Sequence, residues 1–287
     1  MKVQTINLQD ADASARLIQS LRDTGFAVVT GHGIPSSIFD DCYAAWTSFF
    51  EHPSYKTRFT FKKETQSGYF PMKSETAKGA SFADIKEFFH YFGNNPTIAE
   101  QLPGLPLNLR RVTSEAFISL EALSVKLLDM VEKGTPIGIS KCDRKWSEAT
   151  NGCWNTLFRI LHYPPLGRDT QPGAVRAAAH EDINFLTLLP AATKPGLEVR
   201  DNEGVWHAVE VGGDNGIIVN VGDMLAETTG GYYRSTTHRV VNPAGEEMNV
   251  SRYSMPLFLH ANPKTVLSER HTAGSYLTER LKELGLI

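Results

Sequence analysis

Ala177-Ala178-Ala179-His180-Glu181-Asp182-Ile183-Asn184-Phe185-Leu186-Thr187-Leu188-Leu189 sets a polar pair among small and apolar residues. Read as a strand, it turns alternate side chains to opposite faces, so His180 and Asp182 are expected to project together. The segments around it share the period of two. Residues 157–163, 185–189, 197–200, 206–211, 216–221, 236–241 and 253–259 are short β-type runs separated by turn residues. Arg200-Asp201-Asn202-Glu203-Gly204-Val205-Trp206 reads as a hairpin that turns at residues 202–204. Short strands at this spacing mean a sandwich, a barrel or a jelly roll.

Upstream of residue 150 the period is helical. Residues 3–6 read as a strand. Asp10 or Asp12 is placed to cap a helix with Leu17, Ile18 and Leu21 on one face, and Gly25 stops it. Phe26-Ala27-Val28-Val29 is a short buried strand ahead of the turn Gly31-His32-Gly33. From about Pro35 a second helix carries Ile38, Cys42, Trp46, Phe49 and Phe50 until Pro53. Residues 54–108 are rich in Gly, Pro and aromatics and read as loops with short strands. A long helix over 109–133 has the stripe Phe117, Leu120, Leu123, Leu127 and Val131 and ends at Gly134. Residues 273–286 read as a last amphipathic helix.

The 287 residues are 41% apolar and 21% charged, which excludes a disordered or fibrous chain. With 29 basic against 32 acidic side chains, the net charge is -3 and no basic cluster stands out, so nucleic acid is not an expected partner. Cys42, Cys142 and Cys153 form no C-x-x-C pair. That argues against a disulfide framework and a thiolate metal site, and for a reducing cytoplasm. No apolar run approaches the ~20 residues of a spanning helix and no signal core is visible, so no membrane association is expected.

His180 and Asp182 supply one imidazole and one carboxylate, two legs of the 2-His-1-carboxylate triad that leaves positions open on a non-haem Fe(II). Alone, His-x-Asp is a weak signal. A third leg is His238, inside the β-type run Ser235-Thr236-Thr237-His238-Arg239-Val240-Val241. The hairpins in between return the chain to the same end of a rolled sheet. Arg252-Tyr253-Ser254 then places a guanidinium and a hydroxyl on one strand face, suited to clamping a carboxylate. Tyr163, in Leu161-His162-Tyr163-Pro164-Pro165, adds a phenol. A metal beside a carboxylate clamp points to a keto acid chelating at one end and held at the other. His32 and Trp206 read as structural, His162 as facing away from the site, and the loop at 212–216 as no phosphate cradle, since no helix follows it.

These residues stand in an order that resembles the isopenicillin N synthase-like branch of the Fe(II)/2-oxoglutarate-dependent dioxygenases, from about Val3 to Leu281. Gly25-Phe26-Ala27-Val28-Val29-Thr30-Gly31-His32-Gly33-Ile34 is similar to the branch's N-terminal signature. Phe49-Phe50, Gly68-Tyr69-Phe70-Pro71, Asp84-Ile85-Lys86-Glu87, Asn220-Val221-Gly222-Asp223-Met224, His238-Arg239-Val240 and Arg252-x-Ser254 follow in register. The resemblance implies a mainly β fold with flanking helices, built on a double-stranded β-helix (jelly roll). It implies one catalytic unit over 1–287: a helix-rich region at 1–150, a jelly-roll core at 151–265 and a C-terminal helix at 266–287. His180, Asp182 and His238 would bind Fe(II), and Arg252, Ser254 and Tyr163 would bind 2-oxoglutarate. Phe258 would face the substrate, and Tyr69 would reach over the mouth as a lid residue. Two departures from the plant members, Leu161 for Asn and Asn184 for Gly, argue against carrying over plant-type substrates.

The activity so implied consumes 2-oxoglutarate and dioxygen, releases succinate and carbon dioxide, and oxidises a C–H bond of a small molecule, by default to an alcohol. An amino acid or carboxylated metabolite is the expected substrate class. Asp182 argues against a halogenase, whose carboxylate leg is typically missing. The rivals are an isopenicillin N synthase-like oxidase that dispenses with 2-oxoglutarate, a non-redox metal-dependent jelly-roll isomerase, and a ligand-binding protein on the same fold.

Overall fold

The computed structural model describes residues 1–76, 82–96, 104–167, 174–211, 215–283 and 285. Within them the strands are β1 (Gln4–Asn7), β2 (Phe26–Thr30), β3 (Gly68–Phe70), β4 (Glu87–Tyr91), β5 (Leu157–Tyr163), β6 (Ala177–His180) and β7 (Leu186–Pro190). They continue with β8 (Leu197–Arg200), β9 (Trp206–Ala208), β10 (Ile217–Val221), β11 (His238–Val240), β12 (Arg252–Ser254) and β13 (Leu257–Leu259). The helices are α1 (Ala13–Thr24), α2 (Ser36–Glu51), α3 (Pro53–Arg58), α4 (Leu107–Lys133), α5 (Trp146–Thr150), α6 (Asp223–Thr228) and α7 (Ala273–Glu283).

A large sheet runs β1-β2-β10-β7-β13-β5-β4-β3, with β12 also paired to β5, and a small sheet runs β6-β11-β8-β9. Strand alternation sorts the apolar side chains of the large sheet into two cores. Phe26, Val28, Phe88, Leu161, Tyr163 and Ile218 point inward and meet Ala177, Leu197, Val199 and Val240 of the small sheet in one buried cluster. Ala27, Val29, Phe89, Phe158, Ile160 and Val219 point the other way, into a layer with Trp46 and Phe49 of α2 and Leu120 and Leu127 of α4. Two opposed sheets of short strands with helices on one outer face form the expected jelly roll. A sheet covered on both sides needs apolar residues at consecutive positions, which is why Phe26-Ala27-Val28-Val29 shows no alternation.

Local chemistry sets the boundaries. Gly25 ends α1 at φ +74°, donating its N–H to the Leu21 carbonyl at 3.0 Å. A Cβ at Gly25 would stand 2.2 Å from the Thr236 hydroxyl oxygen, so a glycine is required where β2 begins against the chain leading to β11. Asp12 sits at the N-cap of α1 but makes no side-chain capping bond. The run 253–259 is not one strand. Met255-Pro256 separates β12 from β13, because proline lacks the N–H that a ladder needs. Pro53, expected to end α2, opens the short helix α3 inside the region read as loops. Of the loop at 212–216 only Asn215 and Gly216 are described, and Leu286 of the expected last helix lies outside the described residues. Among the described residues no helix is long and apolar enough to cross a membrane.

Candidate metal and co-substrate site

His180 closes β6, His238 opens β11, and the two are directly paired across the small sheet. Their ring centroids lie 4.4 Å apart. Each imidazole donates its Nδ1–H to a backbone carbonyl two residues earlier, His180 to Ala178 at 2.8 Å and His238 to Thr236 at 3.1 Å. That leaves both Nε2 lone pairs free for a ligand. Burial, reinforced by the neighbouring His238, brings His180 down to about 4, so it is a neutral imidazole near pH 7.

Asp182 joins them by a route the i, i+2 rule does not describe. β6 stops at His180, and Asp182 lies beyond it, in the chain leading to the bend at 183–185. Its Oδ2 accepts the Thr187 hydroxyl at 2.6 Å and the Asn220 amide at 2.8 Å, and its carbonyl accepts the Asp223 N–H at 2.7 Å. Asn184 braces Thr187 in turn, at 3.1 Å. The Gly222 backbone lies so close that a Cβ there would be 2.1 Å from the Asn184 carbonyl oxygen. Pinned on one side, the carboxylate turns Oδ1 toward His238 Nε2 at 3.7 Å and His180 Nε2 at 3.9 Å. Burial pushes the Asp182 carboxyl up, but His238, His180, Thr187 and Asn220 outweigh it and hold the group below its usual range. One ligand atom from each residue lies within 4.8 Å of the others, and two imidazole nitrogens with one carboxylate oxygen are a donor set that suits non-haem Fe(II).

Arg252 is 2% exposed and pairs across the sheet with Tyr163, whose ring centroid is 5.1 Å from the guanidinium carbon. Its Nε–H is shared between the Lys194 and Pro195 carbonyls at 2.9 and 3.2 Å. Its Nη1 is buried without a hydrogen-bond partner among the described residues. A buried guanidinium with an unanswered donor is costly, and a ligand carboxylate is the partner that fits it. Ser254, two residues on and also buried, follows on the same strand face.

The comparisons with known proteins agree with this chemistry. The family model "2OG-Fe(II) oxygenase superfamily" matches residues 154–261, and "non-haem dioxygenase in morphine synthesis N-terminal" matches residues 3–108. A 2-oxoglutarate-dependent dioxygenase of Monascus ruber is 32% identical over 282 residues, covering 89% of this chain and 82% of the relative. The chain belongs to the 2-oxoglutarate/Fe(II) oxygenase superfamily. A proline hydroxylase of Petromyces alliaceus is 29% identical, covering 92% of this chain and 91% of its own. A crystal structure described as an oxygenase from Shewanella oneidensis superposes with a TM-score of 0.86 at 42% identity, with both chains fully covered. The oxygenase therefore works with Fe(II), and with 2-oxoglutarate and dioxygen as co-substrates.

Within the oxygenase, Phe258 lies on the inner face opposite Thr187, the residue that pins Asp182, and its ring is 5.6 Å from the Arg159 guanidinium. Tyr69 is not a lid. It is 8% exposed, donates its phenol to Glu87 and packs against Phe49 and Phe50 in the helix-side layer, because its register against β4 turns it away from the interior. His162 also faces that side, bonded to Glu87 at 2.7 Å. His32 braces its own turn by accepting the Ile34 N–H at 3.1 Å and donating to the Asn215 carbonyl at 2.7 Å. Trp206 packs under Arg239. The sequence reading missed Thr187 and assigned Asn220 no role. It also missed Arg176, which is 1% exposed, bonded to the Val250 carbonyl at 3.0 Å, and has its Nε without a hydrogen-bond partner among the described residues. The signal for Arg176 was its place in the small and apolar run Ala174-Val175-Arg176-Ala177-Ala178.

Proposed function

We propose that this oxygenase hydroxylates an aliphatic C–H bond of a small molecule, an amino acid or a carboxylated metabolite, with 1–287 acting as one catalytic unit. His180, Asp182 and His238 hold Fe(II). Arg252, Ser254 and Tyr163 hold the distal carboxylate of 2-oxoglutarate. Bound together, the metal and the keto acid supply the oxidant: substrate, 2-oxoglutarate and dioxygen give the alcohol, succinate and carbon dioxide. The protein's part is to bind, orient and exclude. Both Nδ1–H bonds and the Asn220 and Thr187 contacts keep the three donor atoms facing one point. Arg252 fixes the co-substrate's remote end, which sets where its keto end lies. Phe258 shares the inner face with Thr187, which pins Asp182, and is the side chain that would face a substrate.

The observation that carries this proposal is the convergence of the three donor atoms in the same interior as a buried arginine with an unanswered donor. The relative named a proline hydroxylase supports an amino acid or other carboxylate as substrate. The test has two stages. Anaerobic Fe(II) plus 2-oxoglutarate should give a metal-to-ligand charge-transfer band. A panel of amino acids and small carboxylates should then stimulate succinate release. Absence of the band, or substrate oxidation that persists without 2-oxoglutarate, would overturn it.

A further inference from the structure

The chain just ahead of β4 ties the strand that carries His180 to the inner wall of the roll. Asp84 is buried, and its two oxygens have separate partners. Oδ1 accepts the Ala178 N–H at 2.9 Å, and Oδ2 accepts the Lys86 ammonium at 2.8 Å. The carbonyl of Ala178 in turn accepts the His180 Nδ1–H at 2.8 Å. Ala178 lies where β6 carries an extra residue: His238 pairs with His180, but Val240 pairs with Ala177. A bulge breaks the ladder, so the backbone at Ala178 takes its orientation from a side chain.

The ion pairs continue past Lys86. Its ammonium also lies 2.9 Å from Glu75 Oε2, and Glu75 is gripped by both terminal nitrogens of Arg159 at 3.1 and 3.0 Å. Arg159 donates its Nε–H to His90 Nε2 at 2.8 Å and lies over the rings of Phe88 and Phe258. Cations and carboxylates alternate along this chain, two of each. Pairs that are buried or half-buried in this way add little net stability, because desolvation offsets much of their attraction. What they do supply is fixed geometry.

We propose that Asp84 is a positioning residue for the metal ligand His180. It fixes Ala178 so that the Ala178 carbonyl holds the imidazole with Nε2 toward the metal, while Lys86, Glu75 and Arg159 anchor the Asp84 carboxylate from the substrate wall. This rests on His180 being a ligand, as proposed above. The test is calorimetric titration of the full chain with Mn(II) in the presence of 2-oxoglutarate, together with the anaerobic Fe(II) charge-transfer band. The variants are Asp84→Ala, Asp84→Asn, Lys86→Met and His180→Ala, with melting of the metal-free proteins as the fold control.

Asp84→Ala should weaken Mn(II) binding by about 10- to 100-fold and shift the band, as expected when the partner that orients a metal-bound histidine is lost. Asp84→Asn keeps an acceptor for the Ala178 N–H and should retain most of the affinity. Lys86→Met leaves that acceptor in place but unanchored, and should lose several-fold. Wild-type affinity and band in folded Asp84→Ala, or in Lys86→Met should Asp84→Ala not fold, would overturn the proposal. So would an Asp84→Asn protein as impaired as Asp84→Ala. If His180→Ala binds Mn(II) as tightly as the wild type, the triad itself is wrong and the positioning role goes with it.

Discussion

Arg252→Met removes the charged group on which co-substrate binding is expected to depend most. In the protein alone, Nε–H is answered by two carbonyls while Nη1 has no partner among the described residues, on a side chain 2% exposed. A bound carboxylate completes a buried charge pair, and removing one partner of such a pair costs about 3–5 kcal/mol. At about 1.4 kcal/mol per factor of ten, 2-oxoglutarate should bind roughly two to three and a half powers of ten more weakly. The triad is untouched, so Mn(II) alone should bind as before. Two measurements separate these terms. Anaerobic titration of the Fe(II) protein with 2-oxoglutarate, read at the charge-transfer band, gives the affinity. Melting with 2-oxoglutarate at about 100 times the wild-type Kd should stabilise the wild type by about 2.7 kcal/mol and the variant hardly at all. Arg252→Lys keeps a charge but not the planar fork, and should fall between them. A folded Arg252→Met protein with wild-type 2-oxoglutarate affinity refutes the carboxylate clamp.

Tyr69→Phe deletes the phenol that donates to Glu87, so it should cost about 0.5–1.5 kcal/mol in denaturant titration and leave kcat and 2-oxoglutarate affinity unchanged. A fall in kcat at unchanged stability would return Tyr69 to the substrate site. Gly222→Ala drives a Cβ to 2.1 Å from the Asn184 carbonyl oxygen and should cost about 1–3 kcal/mol or more, with weaker Mn(II) binding as the bend around Asp182 shifts. Wild-type values in both measurements would show that the bend accommodates the methyl group. Burial pushes the Glu75 carboxyl up, but Arg159, Lys86 and His90 outweigh it and hold the group far below its usual range. A carboxyl depressed by folding adds stability that is full above its unfolded value of about 4.3 and fades as pH falls toward the folded value. Glu75→Gln should therefore flatten the loss of stability below about pH 4.5, seen in urea midpoints across that range. An identical acid limb in wild type and variant would contradict it.

The candidate site was legible to different depths. Arg252 and Ser254 share a face because β12 is a strand, as the two-residue spacing predicts. His180 and Asp182 were paired for a reason that does not operate. The strand ends between them, and Asp182 is brought round by Thr187, Asn220 and the bare backbone of Gly222. Asn220-Val221-Gly222-Asp223-Met224 stood out as a motif, but its work of holding the Asp182 bend appears only once β10 lies beside β7. Tyr69 failed for the opposite reason. Its strand was readable in outline, but a one-residue difference in register decides which face a side chain takes, and that register comes from pairing with β4.

From the sequence by itself came the periods of two and of about 3.6, the glycine that stops α1, the residue types able to bind a metal and a carboxylate, and their order along the chain. These are local properties: period and turn chemistry depend on near neighbours, and donor type on a single side chain. Only the tertiary structure decided which donors converge within 4.8 Å, that Arg252 Nη1 is buried without a partner among the described residues, and that Asp84 reaches the Ala178 backbone. Those relations join residues far apart in the chain. They are set by the packing of two sheets against each other and against the helices, which no local pattern records.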